Sequence, residues 1–465
     1  MVVWCSERGG KEERTARSLK DVVTKQEGRD EASKHQTGRP KGERPAMLGR
    51  LSFVLLLVSQ LIATMGFTFV MPFTPLYVQE LGVEDAGRAA AWAGFVNGAT
   101  GLTMALAAPL WGRLADRTGR KLMLLRATLA GSVVVGLMGF VAVPWQLLVL
   151  RLLQGTVTGT VPAATALVAS DSPPRSVGTR LGAFQMIVFV AAAAGPVAGG
   201  IFADLVGIRT SFFLTSALLA ASGVLVLLGV SKVRSPRKKE DLGDGGVAEE
   251  EDRKDEGTAP LPYKRMMPGL VALFLAHVTI TSVAVSLPGF LSSIEGAGDS
   301  IASLTGQIIG TAALTAALGS VLAGRLGDRF AAGRVVVWSL VLAGLTVIPQ
   351  AWAASVPELW VLRLATGAFL GAAIPAANMV IKEAVSLERQ GAAFGVASSA
   401  VAAGFAVGPV GGGLLASTLG FSAAFLVPGM LLLTAGAALW MMRPRPRTGI
   451  RAVWRTIAAQ LARLH

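Results

Sequence analysis

The stretch GRLADRTGRK, residues 112–121, carries five charged side chains: Arg113, Asp116, Arg117, Arg120 and Lys121. Long, mostly apolar runs flank it on both sides. A segment facing hydrocarbon cannot hold so dense a string of charge, so the stretch marks a connection between two membrane crossings. An altered copy, GRLGDRFAAGR, returns at 324–334. One connection therefore fixes a pair of crossings, and its copy points to an internal repeat.

The rest of the chain fits that reading. Of 465 residues, 52% are hydrophobic and 15% charged, where a soluble domain carries about 25%. The mean hydropathy is +0.57. Charge concentrates in tails and short loops, and the runs between them reach the ~20 residues that a helical crossing needs. These features predict an all-α membrane protein. The net charge of +14 reads as the inside-positive bias of such a protein rather than a nucleic-acid surface, because basic residues fall in alternate loops. The single cysteine, Cys5, excludes an internal disulfide and any cysteine-rich metal site. Three histidines do not suit a histidine-rich metal centre. Without a Walker loop or a Ser/His/Asp constellation the chain reads as no enzyme, and it needs no cofactor.

Twelve crossings are expected, near 51–78, 89–111, 121–142, 145–169, 181–203, 209–231, 267–291, 301–324, 335–353, 358–381, 391–416 and 422–442. They divide into an N-terminal bundle, 51–231, and a C-terminal bundle, 267–442. Between these lies a charged linker, 232–266, basic and then acidic. Residues 1–50 read as a polar tail. Residues 1–46 are either a disordered extension or precede the true start at Met47. The tail 443–465 reads either as a short amphipathic helix on the inner leaflet or as a frayed basic end. Loops 112–121, 170–180, 232–266, 325–334 and 382–390, with both tails, hold nearly all the Lys and Arg. Both termini are therefore expected on the cytoplasmic side of the membrane.

The repeat has fixed landmarks. Asp328 follows Asp116 by 212 residues, Arg363 follows Arg151 by 212, and Gly367 and Gly371 follow Gly155 and Gly159 by the same interval. Gly408-Pro409 follows Gly195-Pro196 by 213, as Gly412-Gly413 follows Gly199-Gly200. The one-residue slip falls near Pro162 and Pro375. Two six-helix halves of one topology follow, a layout of transporters with parallel repeats.

With these motifs in place, the sequence resembles the major facilitator superfamily, and within it the drug:proton antiporter branch. GRLADRTGRK matches the family's cytoplasmic loop signature, and RLLQG at 151–155 its fourth-helix signature. Gly182, Gly195, Pro196, Gly199 and Gly200 fit the antiporter glycine-proline pattern of the fifth helix, with Ala191 the one departure. Gly395, Gly404, Gly408, Pro409, Gly412 and Gly413 fit it in the eleventh without departure. MPFTPLYVQELG at 71–82 and RKLMLLR at 120–126 resemble bacterial multidrug-resistance exporters of the MdtG type. The resemblance covers about 51–442. It implies a monomeric, proton-coupled exporter of lipophilic or amphipathic small molecules that works by alternating access. A proton-coupled symporter or facilitator of a metabolite, and a non-transporting membrane sensor or scaffold, stay as alternatives.

The resemblance also implies roles. Gly112, Asp116, Arg117, Gly119 and Arg120, with Arg325, Asp328 and Arg329, form a cytoplasmic gate. Asp116 would face the start of helix 11 near Arg389 and Gly391; Asp328 would face the start of helix 5 near Thr179 and Arg180. Such a carboxylate at a helix N-terminus contributes about 0.3–2 kcal/mol. The alternative is a loop that only enforces orientation. Arg151 and Gln154, and the repeat mate Arg363, are expected in proton coupling. Arg151 could instead be a structural pin that reaches helix 1 at Gln60. His277 is the embedded group whose ordinary pKa lies near neutrality; a hydrogen-bonded packing role is the alternative. The cavity is expected to involve Gln60, Phe67, Met71, Asn97, Met104, Gln185, Phe189, Gln307 and Asn378. Prolines 72, 75 and 288 are expected to bend helices 1 and 7.

Overall fold

In hydrocarbon a backbone must satisfy its own hydrogen bonds, so an apolar chain of this length folds as helices. The computed structural model describes residues 49–171, 177–230, 261–294, 298, 300–327, 330–386 and 389–442. Of the helical residues 112, 113, 116, 117 and 325–327 only the backbone is described. Twelve crossings are present among the described residues. They are α1 (Arg50–Glu80), α2 (Ala86–Thr118), α3 (Arg120–Met138), α4 (Pro144–Val157 and Thr160–Asp171), α5 (Val177–Val206) and α6 (Ile208–Gly229). Then follow α7 (Tyr263–Ser292), α8 (Ile301–Gly327), α9 (Ala332–Val347), α10 (Val356–Glu383), α11 (Gln390–Leu419) and α12 (Ala423–Met441). Ten of these are long and apolar enough to cross a membrane on their own. The other two are α2, which dilutes its apolar residues with Gly, Thr and Asn, and α4, which is broken.

The two halves repeat their packing. In the first, α1 lies against α5 and α6, α2 against α4, and α3 against α4 and α6. In the second, α7 lies against α11 and α12, α8 against α10, and α9 against α10 and α12. Phe69, Phe73, Tyr77 and Phe212 fill one end of the first bundle, and Leu56, Leu124, Phe184 and Val226 the other. Leu273, Phe290, Leu340 and Phe425 belong to the core of the second. Across the bundles, α2 packs on α11 and α5 on α8. The two six-helix bundles are thus pseudo-symmetric. Below, the end carrying residues 81–85 and 207 is called outer, after its assignment by loop charge.

Three details differ from the pattern read in the sequence. The charged stretch 112–121 is not a loop. Helix α2 continues to Thr118, α3 starts at Arg120, and the joint is Gly119 alone. Its φ of 95° is one that glycine adopts without strain, and its N–H still donates to the Ala115 carbonyl at 2.9 Å. Charged side chains are compatible with helix here because they sit at helix ends, from which long side chains reach water. Helix α1 tightens into a 3₁₀ turn at Met71–Phe73, where Pro72 and Pro75 withhold N–H groups. Finally, the expected crossing 145–169 breaks at Thr158–Gly159, where Gly159 has φ 129°. Pro162 lacks an N–H, so it cannot donate to the carbonyl four residues back, that of Thr158. In α10 the equivalent proline stands one residue later, and the helix runs unbroken past Gly371.

Candidate functional site

The seams between the bundles are built from the glycine-proline stretches, and three of their glycine contacts recur in both copies. A Cβ added to Gly94 of α2 would strike the Pro409 carbonyl of α11; one on Gly306 of α8 would strike the Pro196 carbonyl of α5. Gly98 abuts the Ala406 carbonyl and the Val410 side chain, as Gly310 abuts the Ala193 carbonyl and the Val197 side chain. Gly413 faces Ala90 and Ala91; Gly200 faces Ala302 and Ser303. These are backbone-to-backbone approaches that only a missing side chain permits.

Alternate motif residues face inward, to their own bundle. Gly195 abuts Met65 and Thr68 of α1, and Gly199 abuts Phe69. Gly408 abuts Val278 and Thr281 of α7, and Gly412 abuts Ser282. Each motif helix is therefore clamped on two faces, α5 between α1 and α8, and α11 between α7 and α2. Thr68 and Thr281 lie 213 residues apart in the chain. The hydroxyl of Thr68 lies 3.0 Å from the Thr64 carbonyl and 3.4 Å from that of Ala191. That of Thr281 lies 2.7 Å from the His277 carbonyl and 3.4 Å from that of Gly404.

Among the described glycines, every such cross-bundle approach falls in the outer halves of the four helices. Toward the inner end, no atom of the described residues comes within 4 Å of the place a Cβ would take on Gly182 of α5, Gly324 of α8, or Gly391 and Gly395 of α11. Among the described residues, then, the close approaches of the seams lie outside and none of them inside.

The polar centre of the first bundle surrounds Arg151, which is only 6% exposed. Its Nη1 donates to Gln154 Oε1 at 3.3 Å and its Nη2 to Thr74 Oγ1 at 3.4 Å. Thr74 Oγ1 lies 3.3 Å from the buried Asn97 Oδ1 and 2.9 Å from the Met71 carbonyl. The Arg151 carbonyl accepts from Thr100 at 3.3 Å. Its Nε has no partner among the described residues. Arg151 thus reaches α1 through Thr74, the residue immediately after the 3₁₀ turn, and not through Gln60. Gln60 is wholly buried, with Nε2 donating to Thr64 at 3.2 Å and to Thr160, just beyond the α4 break, at 3.3 Å.

Arg363, 9% exposed, holds the repeat position in α10 with different company. Its guanidinium carbon lies 5.6 Å from the Phe425 ring centroid, and Nε and Nη2 are buried without partners among the described residues. His277 is half-buried on α7 at the α11 contact. Its Nδ1 lies 2.8 Å from the Leu273 carbonyl, its ring centroid 5.1 Å from that of Phe405, and its Cβ against Gly404. The Leu273 contact makes Nδ1 the protonated nitrogen and leaves Nε2 as the acceptor.

The structure brings Arg151, Gln154, Asn97 and Met71 into one neighbourhood. Phe67 points toward Gly131 and Thr158, within the first bundle. Gln185 and Phe189 are exposed on α5, and Met104, Gln307 and Asn378 are partly buried on α2, α8 and α10. The side chains of Asp116, Arg117 and Arg325 lie outside the described residues, as do Asp328, Arg329, most of the linker 232–266 and both tails. Three positions that carry the geometry, Thr68, Thr74 and Thr281, were not singled out by their chemistry. The available signal was the 213-residue spacing of the two threonines, which extends the repeat into α1 and α7.

The family model described as Major Facilitator Superfamily matches residues 56–310 and 269–463. Multidrug resistance protein MdtG of Proteus mirabilis (strain HI4320) is 35% identical over 364 residues, which is 77% of this chain and 88% of that protein. Its namesake from Rahnella sp. (strain Y9602) is 33% identical over 382 residues, 82% of this chain and 91% of that one. Among solved structures, a bacterial homologue of the human lysosomal transporter Spinster, inward-facing and unoccupied, aligns with TM-score 0.66 at 19% identity. It covers 84% of this chain and 97% of its own. The nucleoside transporter NupG aligns with TM-score 0.65 at 15% identity, over 85% and 100% of the two chains.

Proposed function

The chain belongs to the major facilitator superfamily of multi-pass membrane transporters, and from that premise we propose that it exports lipophilic or amphipathic small molecules from the bacterial cytoplasm in exchange for protons. The observation that supports this reading is the doubled seam, whose close approaches among the described residues all lie in its outer half. Two rigid bundles joined along such seams rock about a central site. In this reading the conformation described is the one that receives cargo from inside. The curated relatives bear the name multidrug resistance protein, and the glycine-proline stretches are the family's mark of export.

Coupling needs a group that gains and loses a proton. A guanidinium keeps its proton at any physiological pH, so Arg151 and Arg363 act in this reading as fixed charges. Arg151 holds α1, α2 and α4 in register through Thr74, Asn97 and Thr100. His277, through Nε2, is the proposed proton carrier. Asp116 is proposed to close the inner mouth against α11 in the opposite conformation.

The test is uptake of lipophilic dyes into inverted vesicles under an imposed pH gradient. Uptake that follows the gradient is expected. Arg151→Ala should abolish gradient-driven uptake at near-normal membrane levels, and full activity in that variant would defeat its coupling role. Uptake indifferent to the gradient would remove the antiport reading.

A further inference from the structure

The two seams match in their glycines and differ in one charge. Asp204, near the end of α5, accepts a hydrogen bond through Oδ2 from the backbone N–H of Ser303 in the first turn of α8, at 2.7 Å. First-turn N–H groups have no acceptor within their own helix. In α8 the ladder opens one residue later, with the Leu304 N–H donating to the Ser300 carbonyl at 3.1 Å. Ser303 therefore depends on an outside acceptor, and the other bundle supplies it.

At the start of α2, the repeat mate of α8, the same need is met locally. Asp85 Oδ1 accepts from the Arg88 N–H at 2.7 Å, within one bundle. The residue 213 places after Asp204 is Ser417. Its hydroxyl turns back to the Leu414 carbonyl, 3.0 Å away. So, among the described residues, α2 has its cap in cis and α8 takes one in trans. A carboxylate on a helix N-terminus gains both a charge-assisted bond and the favourable end of the helix dipole. That bond cannot survive separation of α5 from α8.

We propose that Asp204 is an outer clasp: it stabilises the conformation with the α5–α8 seam shut, and it must release Ser303 before the outer end can open. The proposal rests on the alternating-access reading above, but its test requires no transport. Spin labels at Glu84→Cys and Ala354→Cys, on exposed outer connections of the two bundles, would be placed in a Cys5→Ser background. The full-length protein in lipid nanodiscs is then measured by double electron–electron resonance. Asp204→Ala should raise the population of the long-distance, outer-open state relative to the closed one by about three- to ten-fold, the weight of a lost cap. Asp204→Asn is isosteric, keeps an acceptor and loses the charge, so it should fall between. Ser303→Pro removes the donor in the first helical turn, where proline is tolerated; it should reproduce the shift with Asp204 intact. Unchanged distances in Asp204→Ala and Asp204→Asn, or a shift in those variants that Ser303→Pro fails to match, would overturn the clasp. Shifted distances in a protein that moves no compound would leave the clasp standing and sink only the exporter reading.

Discussion

At position 191 the fifth-helix pattern carries Ala, and at 404 the eleventh-helix pattern carries Gly. The residues that face them explain the difference. Thr64 and His277 are repeat mates, 213 residues apart, and each offers its carbonyl to the threonine one turn on. Where α1 presents a threonine, α5 has room for a methyl, and Ala191 is fully buried. At Gly404 α7 approaches with its backbone and the His277 Cβ and leaves α11 no such room. A Cβ on Gly404 would lie 2.7 Å from His277 Cβ and 2.9 Å from the Phe274 carbonyl oxygen. Gly404→Ala should therefore destabilise the protein by about 1–3 kcal/mol, the usual cost of overpacking, read as a lower unfolding midpoint in detergent. Because both contacts are to atoms that any residue but glycine would present at 277 or that belong to the backbone, replacing His277 by Thr should not rescue Gly404→Ala.

The helices were legible because apolar length and the 212–213 residue repeat survive in the sequence; their internal breaks were less so. The same GRLADRTGRK string is compatible with a loop or with two helix ends meeting at Gly119, since hydropathy registers the charges and not the φ of one glycine. The α4 break lies beside Pro162, which stands one residue out of register with Pro375 of the unbroken α10; the shift is visible in the sequence and the break is not. The glycine positions were legible as a motif, but not the division of their faces between own and opposite bundle. That division makes distinct predictions for like-looking glycines. Gly94→Ala and Gly306→Ala place a methyl against the backbone of Pro409 and Pro196, which cannot give way, so each should force the outer seam apart and lower the unfolding midpoint. Gly182→Ala and Gly395→Ala meet nothing within 4 Å and remove glycine from a helix, so they should leave stability unchanged or raise it by up to about 1 kcal/mol. If these two also slow transport, the inner halves must close over them in the opposite conformation. A loss of stability as large as that of Gly94→Ala would contradict the loose inner seam.

Taken over the whole molecule, charge is distributed in a way that constrains what can pass. Among the described residues, every Asp and Glu lies in a connection or within two turns of a helix end. Among the described residues the two arginines deepest in the bundles, Arg151 and Arg363, have no carboxylate beside them, and each keeps at least one N–H unmatched. A permanently cationic compound entering between the bundles would find no counter-charge among the residues beside those arginines. It would also face repulsion of roughly 1.5–2 kcal/mol per guanidinium at about 10 Å and an effective dielectric of 20. Neutral and anionic amphiphiles escape that cost, and anions gain from it. In inverted vesicles, neutral and anionic amphiphiles should therefore compete with a transported dye at least tenfold more strongly than quaternary ammonium compounds of equal lipophilicity, each such 1.4 kcal/mol being about a factor of ten. Replacing Arg363 by Met, which fills similar space beside Phe425 without charge, should narrow the gap while leaving the fold intact, because an uncompensated buried charge is removed rather than created. Equal competition by cations in the unaltered protein would mean that a carboxylate reaches the cargo after all, and that the path between the bundles is not the electropositive one drawn from these arginines.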